Sequence, residues 1–141
     1  MIRMSNRREI LKIAGMGAAA AFALPAEVSR LQNGVMDSGQ VKLDHQPFGD
    51  QRIYFEGSTS QLKSIVAGSL RLLPGASPHA PHQHPEEELL IVTEGAGEIT
   101  LDGKAVKAGA GSVTYCAGGC LHGIVNTGST PLLFYYCKWR A

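Results

Sequence analysis

Three side chains in the middle of the chain, His82, His84 and Glu88, have the types and the spacing of metal ligands. Side chains alternate between the two faces of a β-strand, so His82 and His84 would share one face. Glu88 keeps the same parity if a strand resumes after the intervening proline, and Leu90 and Val92 would then point into the same apolar interior. Imidazoles and a carboxylate converging on one interior need a positive partner, and a divalent metal ion is the ordinary one.

A third histidine, His122, stands in a second segment, residues 111–126, where several glycines precede it. The two segments together resemble the two sequence motifs of the cupin superfamily, whose members are small antiparallel β-barrels of the jelly-roll type. The first motif has the order His-x-His, Glu and Gly, matched here by His82, His84, Glu88 and Gly95. The second has the order Gly, Pro-x-Gly, His and Asn, matched here by Gly111, Gly119, His122 and Asn126.

The resemblance implies that one divalent transition-metal ion is bound inside the barrel by His82, His84, Glu88 and His122. It also implies that Asn126 orients His122 or its loop. Three imidazoles and one carboxylate suit iron or manganese, which we favour, and also nickel, cobalt, copper or zinc. On an octahedral ion four protein ligands leave two adjacent positions open, where a substrate could chelate or a substrate oxygen and dioxygen could bind side by side. Zinc tends to be four-coordinate and closed, which argues against it as the catalytic ion.

The turn before His122 departs from the family pattern, because Ala117 stands where a proline is expected. The two glycines that follow can still form the turn, with a less rigid loop. Cys116 and Cys120 flank this turn, and a disulfide between them would stiffen it. The alternatives are a redox-active thiol beside the metal, or two reduced, half-buried thiols together with a Cys137 in the core.

Several other polar residues near the two motifs could take part in the chemistry. His79 would lie at the mouth of the barrel, where it either touches a substrate or is an exposed loop histidine. Tyr115 either donates a hydrogen bond to a bound ligand or belongs to the core. Glu86 and Glu87 are either bases behind the metal ligands or solvated residues of a turn.

The elements that must position these residues are short strands separated by glycine-rich turns. The chain has 141 residues, which is the size of one domain, and 17 of them are glycine. Asp102-Gly103 is a strong signal for a two-residue hairpin, and Gly68 suggests a bulge. We therefore predict an all-β, antiparallel jelly-roll barrel with strands near residues 53–55, 62–73, 89–93, 98–101, 104–107, 113–115, 124–125 and 132–139.

The N-terminus has the pattern of a targeting segment that is outside the fold. The string Asn6-Arg7-Arg8-Glu9-Ile10-Leu11-Lys12 resembles a twin-arginine export signal, and an uncharged run follows it over residues 13–24. That run is too short to span a bilayer. We predict a signal peptide over residues 1–26, cleaved after Ala23 or Ala26. An uncleaved anchor or a plain amphipathic helix is the alternative.

After the signal, residues 27–50 are predicted to form an N-terminal arm and residues 51–141 the barrel. The arm is polar, with one edge strand expected at residues 41–43, and His45 in it is interpreted as a surface histidine. Removing the signal takes away four of the 13 basic and one of the 12 acidic residues, so the remainder has a net charge of −2. This charge does not favour nucleic acid as a partner.

The sequence thus predicts an exported, periplasmic or secreted metal-binding cupin that acts on a small molecule. A dioxygenase-type metalloenzyme is favoured, and the alternative is a non-catalytic cupin that binds or senses a small ligand. No membrane contact is expected once the signal is removed. The apolar segment 132–139 either packs one face against a second subunit, giving a homodimer, or is buried between two sheets.

Replacing Arg7 and Arg8 together by lysine tests the predicted signal. We expect the wild-type chain in the periplasm, shortened by cleavage near Ala23 or Ala26, and the double variant uncleaved in the cytoplasm. Mass spectrometry of the two cell fractions measures both the location and the cleavage. Export of the variant at the wild-type level would contradict the twin-arginine interpretation.

Overall fold

The computed structural model describes residues 29–141, so the predicted signal peptide lies outside the described residues. Over this range the chain forms nine strands and no helix. The strands are β1 (Asp44–Gln46), β2 (Gly49–Gly57), β3 (Ser64–Leu72), β4 (Glu87–Glu94), β5 (Ala96–Leu101), β6 (Lys104–Gly109), β7 (Val113–Cys116), β8 (His122–Val125) and β9 (Leu132–Arg140). No helix in residues 29–141 could therefore cross a membrane.

The strands form two antiparallel sheets that pack face to face. The larger sheet has the order β1-β2-β3-β9-β4-β7, and the smaller has the order β6-β5-β8. Residues from both sheets build one apolar core: Leu70, Leu72, Leu90, Val92, Ile99, Ala108, Cys116, Ile124, Leu132 and Phe134. Leu90 and Val92 face this core as predicted. The predicted all-β, antiparallel jelly-roll fold is confirmed.

Strand β9 lies in the middle of the larger sheet, between β3 and β4. Its alternate residues Leu132 and Phe134 are buried in the core, while Tyr135 on the opposite face is 39% exposed. The segment is therefore not buried between two sheets, which was one of the two interpretations of its apolar composition. Its outer face is partly open to solvent.

Two local predictions about turns and bulges have different outcomes. Asp102 and Gly103 have φ angles of 49° and 79°, and they join β5 to β6 as the predicted two-residue hairpin. A bulge is present near Gly68, but its extra residue is in the partner strand: Tyr54 of β2 stands between the residues that pair with Gly68 and Ala67 of β3. Gly68 has another role, because a Cβ there would come within 2.6 Å of the Tyr136 hydroxyl.

The first strand of the arm lies at Asp44–Gln46, so the prediction of an edge strand at residues 41–43 is wrong. The reason is the register of the hairpin, in which Gln46 pairs with Gly49 and the turn holds only two residues. Such a tight turn requires the pairing to begin directly beside it. His45 on this strand is exposed, with its Nδ1 atom 2.7 Å from the Asp50 carboxylate, as expected of a surface histidine.

Asn126 closes the fold at the end of β8 and does not contact His122. Its side-chain amide donates hydrogen bonds to the carbonyl oxygens of Leu72 (3.1 Å) and Thr130 (2.8 Å), and its oxygen accepts one from the N–H of Gly128 (3.0 Å). The residue is completely buried. It therefore ties the loop after β8 to the end of β3, and the predicted role in orienting His122 or its loop is wrong.

Candidate metal centre

The four predicted ligands come from three parts of the fold. Glu88 is in β4 and His122 is the first residue of β8, whereas His82 and His84 lie in the loop that joins β3 to β4. The expectation that the two histidines share a regular strand is wrong. Prolines at positions 78, 81 and 85 of that loop lack a backbone N–H, so the segment cannot form a continuous ladder.

A short backbone bridge nevertheless fixes the loop to the smaller sheet. The N–H of His82 donates to the carbonyl oxygen of His122 (2.9 Å), and the N–H of His122 donates back to the carbonyl oxygen of His82 (3.0 Å). Each backbone donor and acceptor of the pair is thereby used, and the two imidazoles are brought to one place. Their ring centroids are 4.8 Å apart.

The turn before His122 positions His84. The N–H of Cys120 donates to the carbonyl oxygen of Ala117 (3.1 Å), and Gly119 has a φ of 79°, a value that favours glycine. The N–H of Gly119 then donates to the carbonyl oxygen of His84 (2.8 Å). A Cβ at Gly118 would lie 2.5 Å from the carbonyl oxygen of Pro85. The two glycines thus make the turn without the family proline, as predicted.

The structure brings all four predicted residues together. The ligand atoms of His82, His84 and His122 lie within 4.8 Å of one another. The Glu88 Oε2 atom is 3.1 Å from His84 Nε2 and 2.9 Å from His122 Nε2. Three imidazoles and one carboxylate therefore surround a single point.

The hydrogen bonds of two imidazoles fix which nitrogen carries the proton. His84 Nδ1 faces the carbonyl oxygen of Glu86 (3.1 Å), and His122 Nδ1 faces the carbonyl oxygen of Cys120 (2.9 Å). A carbonyl oxygen only accepts, so each Nδ1 must be the N–H donor. In a neutral ring, Nε2 then presents a lone pair, and both of these lone pairs point at the same oxygen of Glu88. With both rings neutral, these three atoms are all metal donors, so the arrangement can hold a cation between them.

Two further observations fit this arrangement. The Nδ1 atom of His82 is buried and has no hydrogen-bond partner within residues 29–141. Burial lowers the pKa of His82, the neighbouring rings of His79, His122 and His84 lower it further, and Glu88 opposes them. The lowered pKa favours the neutral ring, which is the form that binds metals. The Glu86 carboxylate lies 3.3 Å from His84 Nδ1, so it supports this ligand from behind and is not a solvated turn residue.

A cavity of about 250 Å³ opens from the four residues into the space between the sheets. Most of its wall is apolar, including Phe48, Leu70, Leu90, Ile99, Ile124 and Phe134. His79 lies in the wall and is exposed, with its ring centroid 3.9 Å from that of His82. The predicted position at the mouth of the barrel is thus observed.

Three polar wall residues were missed by the sequence analysis: Gln51, Tyr136 and Lys138. Tyr136 and Lys138 continue the inward face of β9 that begins with Leu132 and Phe134, and this alternation is visible in the sequence. Burial raises the pKa of Tyr136, and the hydrogen bond with Gln51 lowers it in part. The alternation of side chains along β9 does not determine which face is inward, because that depends on the position of β9 in the sheet.

Tyr115 points away from the cavity, so neither of its predicted roles is correct. Its hydroxyl donates to the Glu87 carboxylate (2.8 Å), which also accepts a hydrogen bond from the indole N–H of Trp139 (2.8 Å). Side chains alternate, so Glu87 and Tyr115 must point outward when Glu88 and its partner Cys116 point inward. The hydrogen bond to Glu87 raises the pKa of Tyr115.

The three cysteines are free thiols in the structure. Cys116 is buried in the cavity wall, and desolvation raises the pKa of its thiol to about 11. Cys120 is partly buried in the turn, without a disulfide to Cys116. Cys137 lies on the outer face of β9, so the prediction that it belongs to the core is wrong.

Comparison with known proteins agrees with this fold. Residues 68–137 match the model of the Cupin domain family. No curated protein is significantly similar to the chain in sequence. The structure is similar to KdgF from Halomonas sp., with 20% identity, a TM-score of 0.63, and coverage of 78% of this chain and 96% of that one.

Two further solved structures are similar. A predicted oxalate decarboxylase from Thermotoga maritima has 24% identity and a TM-score of 0.61, covering 77% of this chain and all 100% of its own. An RmlC-like cupin from Shewanella frigidimarina has 16% identity and a TM-score of 0.62, covering 78% and 93%. Likeness at such identities concerns the fold and not the activity. Residues 68–137 are therefore a domain of the cupin family, and the solved structures show that the chain has the cupin fold.

Proposed function

We propose that this chain is an exported cupin that binds one divalent transition-metal ion through His82, His84, Glu88 and His122. One observation supports this most strongly: the Nε2 atoms of His84 and His122 both face the same oxygen of Glu88, at 3.1 and 2.9 Å. If a metal ion were bound here, these three atoms would be its ligands together with His82. Iron or manganese is favoured for this donor set, and nickel, cobalt, copper or zinc could also be held.

We further propose that the cavity beside this site takes a small molecule and that the protein is a dioxygenase-type metalloenzyme. A bound ion of this kind would supply Lewis-acid and one-electron redox chemistry. The chain itself would contribute the apolar wall formed by residues such as Leu70 and Phe134, which keeps water away from a reacting molecule. His79 at the mouth would contact a molecule that enters the cavity.

A binding protein is the second candidate, because the same apolar wall would also hold a ligand that does not react. Such walls, with a few polar groups placed among them, are typical of small-molecule sites in general. The two candidates share the metal site and differ only in turnover. The tests below therefore separate metal binding from catalysis.

Removing single ligands tests the metal site. We expect His122→Ala and Glu88→Gln to bind metal at least about tenfold more weakly than the wild type, since even changes behind a ligand cost that much. Elemental analysis of purified, folded protein, supported by competition with a chelator, measures this. The matched controls are His45→Ala, which removes an exposed histidine, and Glu87→Gln, which changes the outward-facing neighbour of Glu88.

Both controls should keep the wild-type metal content. A full equivalent of metal in His122→Ala would contradict the proposed ligand set. A wild-type protein that holds no metal in any metal-replete medium would do the same. Asn126→Ala should lose stability through its broken hydrogen bonds but retain metal in the folded fraction.

Oxygen consumption tests the proposed activity. With iron-loaded wild-type protein and a panel of catechols and diketones, we expect uptake of oxygen that is absent with His122→Ala. An oxygen electrode measures the rate, and mass spectrometry identifies the oxidised product. Ligand binding with no uptake by any loaded metal form would favour the binding protein instead.

We also propose that the protein is a homodimer whose contact is the outer face of the larger sheet. Ile91, Val113 and Tyr115 on this face are 43%, 63% and 55% exposed, and Tyr135 lies beside them. Contiguous exposed apolar side chains are typical of an interaction surface. The adjacent strand β7 is an edge strand with unpaired backbone groups, which a second subunit would cover.

An aspartate at position 91 tests this contact. We expect the mature wild-type chain to have the mass of a dimer by light scattering and Ile91→Asp to have that of a monomer, because burying the carboxylate in the contact is unfavourable. Val106→Asp is the matched control, since Val106 is similarly exposed but lies in the smaller sheet. A monomeric wild type would contradict the proposal.

A further inference from the structure

Lys138 brings a positive charge into the cavity at a point that neither cupin motif includes. It lies on the inward face of β9, in register with Glu88 of the neighbouring strand, and it is partly buried. Among the described residues that line the cavity it is the one lysine, and no arginine lines it. A charged side chain at an inward position of a central strand is unusual, because the interior disfavours an unpaired charge.

The ammonium of Lys138 has no partner within residues 29–141. It makes no hydrogen bond or ion pair there, although Glu88 is its neighbour in the ladder. The Glu88 carboxylate is turned instead toward the two imidazoles at 2.9 and 3.1 Å. The charge is therefore available to a molecule that enters the cavity.

The remaining wall indicates what kind of molecule this is. If the proposed ion is bound, one divalent cation, one carboxylate and one ammonium leave the cavity with a net positive charge. The other wall residues are apolar or neutral, including Phe134, Tyr136 and Gln51. A neutral ligand would leave the ammonium unpaired in an apolar wall. An anion would pair with the ammonium, and the low dielectric of the surroundings would make that ion pair stronger than in water.

We propose that Lys138 is the anion-binding residue of this cavity and that the ligand is a small organic acid whose carboxylate pairs with it. The apolar wall would contact the hydrocarbon part of the acid. This inference rests on the proposed function for the identity of the site, but it assigns the substrate class and a specificity-determining residue outside the metal ligands. Lys138 binds and orients the acid, and it does not ligate the metal.

The test compares acids with their neutral amides on metal-loaded protein. The probes are acetate, malonate and benzoate against acetamide, malonamide and benzamide, with affinity measured by calorimetry and thermal shift. We expect the wild type to prefer at least one acid over its amide. Lys138→Met should weaken that binding by about tenfold or more, because it removes a charge-assisted hydrogen bond. Lys107→Met, an exposed lysine on β6, should leave it unchanged.

Metal content is measured on every variant in the same preparations. Lys138→Met should keep the wild-type metal content, which separates loss of the anion site from loss of the metal. Lys138→Gln serves as a second neutral variant if Lys138→Met does not fold, and Lys138→Arg should restore binding of the acid.

Three outcomes would overturn the inference. The first is that the wild type and the neutral variants bind the preferred acid with equal affinity. The second is that the wild type binds acids and amides equally well. The third is that it binds no acid. If the wild type holds no metal but still binds an acid through Lys138, the anion-binding role of Lys138 is supported. Only the proposed metal site is then contradicted.

Discussion

The constraint on which the site depends is the meeting of acceptor atoms at Glu88 Oε2. His84 and His122 each use Nδ1 to donate to a backbone carbonyl oxygen, at 3.1 and 2.9 Å, so neither ring can also offer Nε2 as a neutral donor. The backbone therefore dictates the tautomers before any ligand is considered. With both Nδ1 atoms held in this way, the two neutral rings can offer only their Nε2 lone pairs to a cation beside Glu88.

The backbone contacts that hold this arrangement link parts of the chain that are distant in sequence. The bridge between His82 and His122 joins the loop after β3 to the first residue of β8, and the turn at Gly119 holds the carbonyl of His84. Prolines at positions 78, 81 and 85 keep this part of the loop out of the sheets, so these few hydrogen bonds determine the position of both imidazoles. The site thus combines two loop histidines with Glu88 and His122, which the strands of the two sheets hold.

The sequence predicted the fold class, the hairpin at Asp102-Gly103 and the set of residues that converge, because each depends on local spacing. It did not predict which face of a strand is buried, because that depends on the strands that lie beside it. Tyr115 and Cys137 were misplaced because their face is decided by which alternate residue enters the core. Asn126 was misplaced because its partner Leu72 is far away in sequence. The predicted strand at His82 and His84 is absent because the neighbouring prolines lack the backbone N–H that a regular strand needs.

The cavity wall has two parts, one built by residues of the two motifs and one built by β9. The metal end is built by motif residues whose spacing is fixed, since Glu88 and His122 must reach one point. The opposite wall is built by β9, whose inward positions run from Leu132 through Phe134 and Tyr136 to Lys138. Substitution at such a position alters the cavity without disturbing the ligands, because the strand is held by backbone pairing to β3 and β4 on both sides. Residues of β9 can therefore determine which ligand binds, while the motif residues hold the metal. In this chain Lys138, at the end of that face, favours a negatively charged ligand.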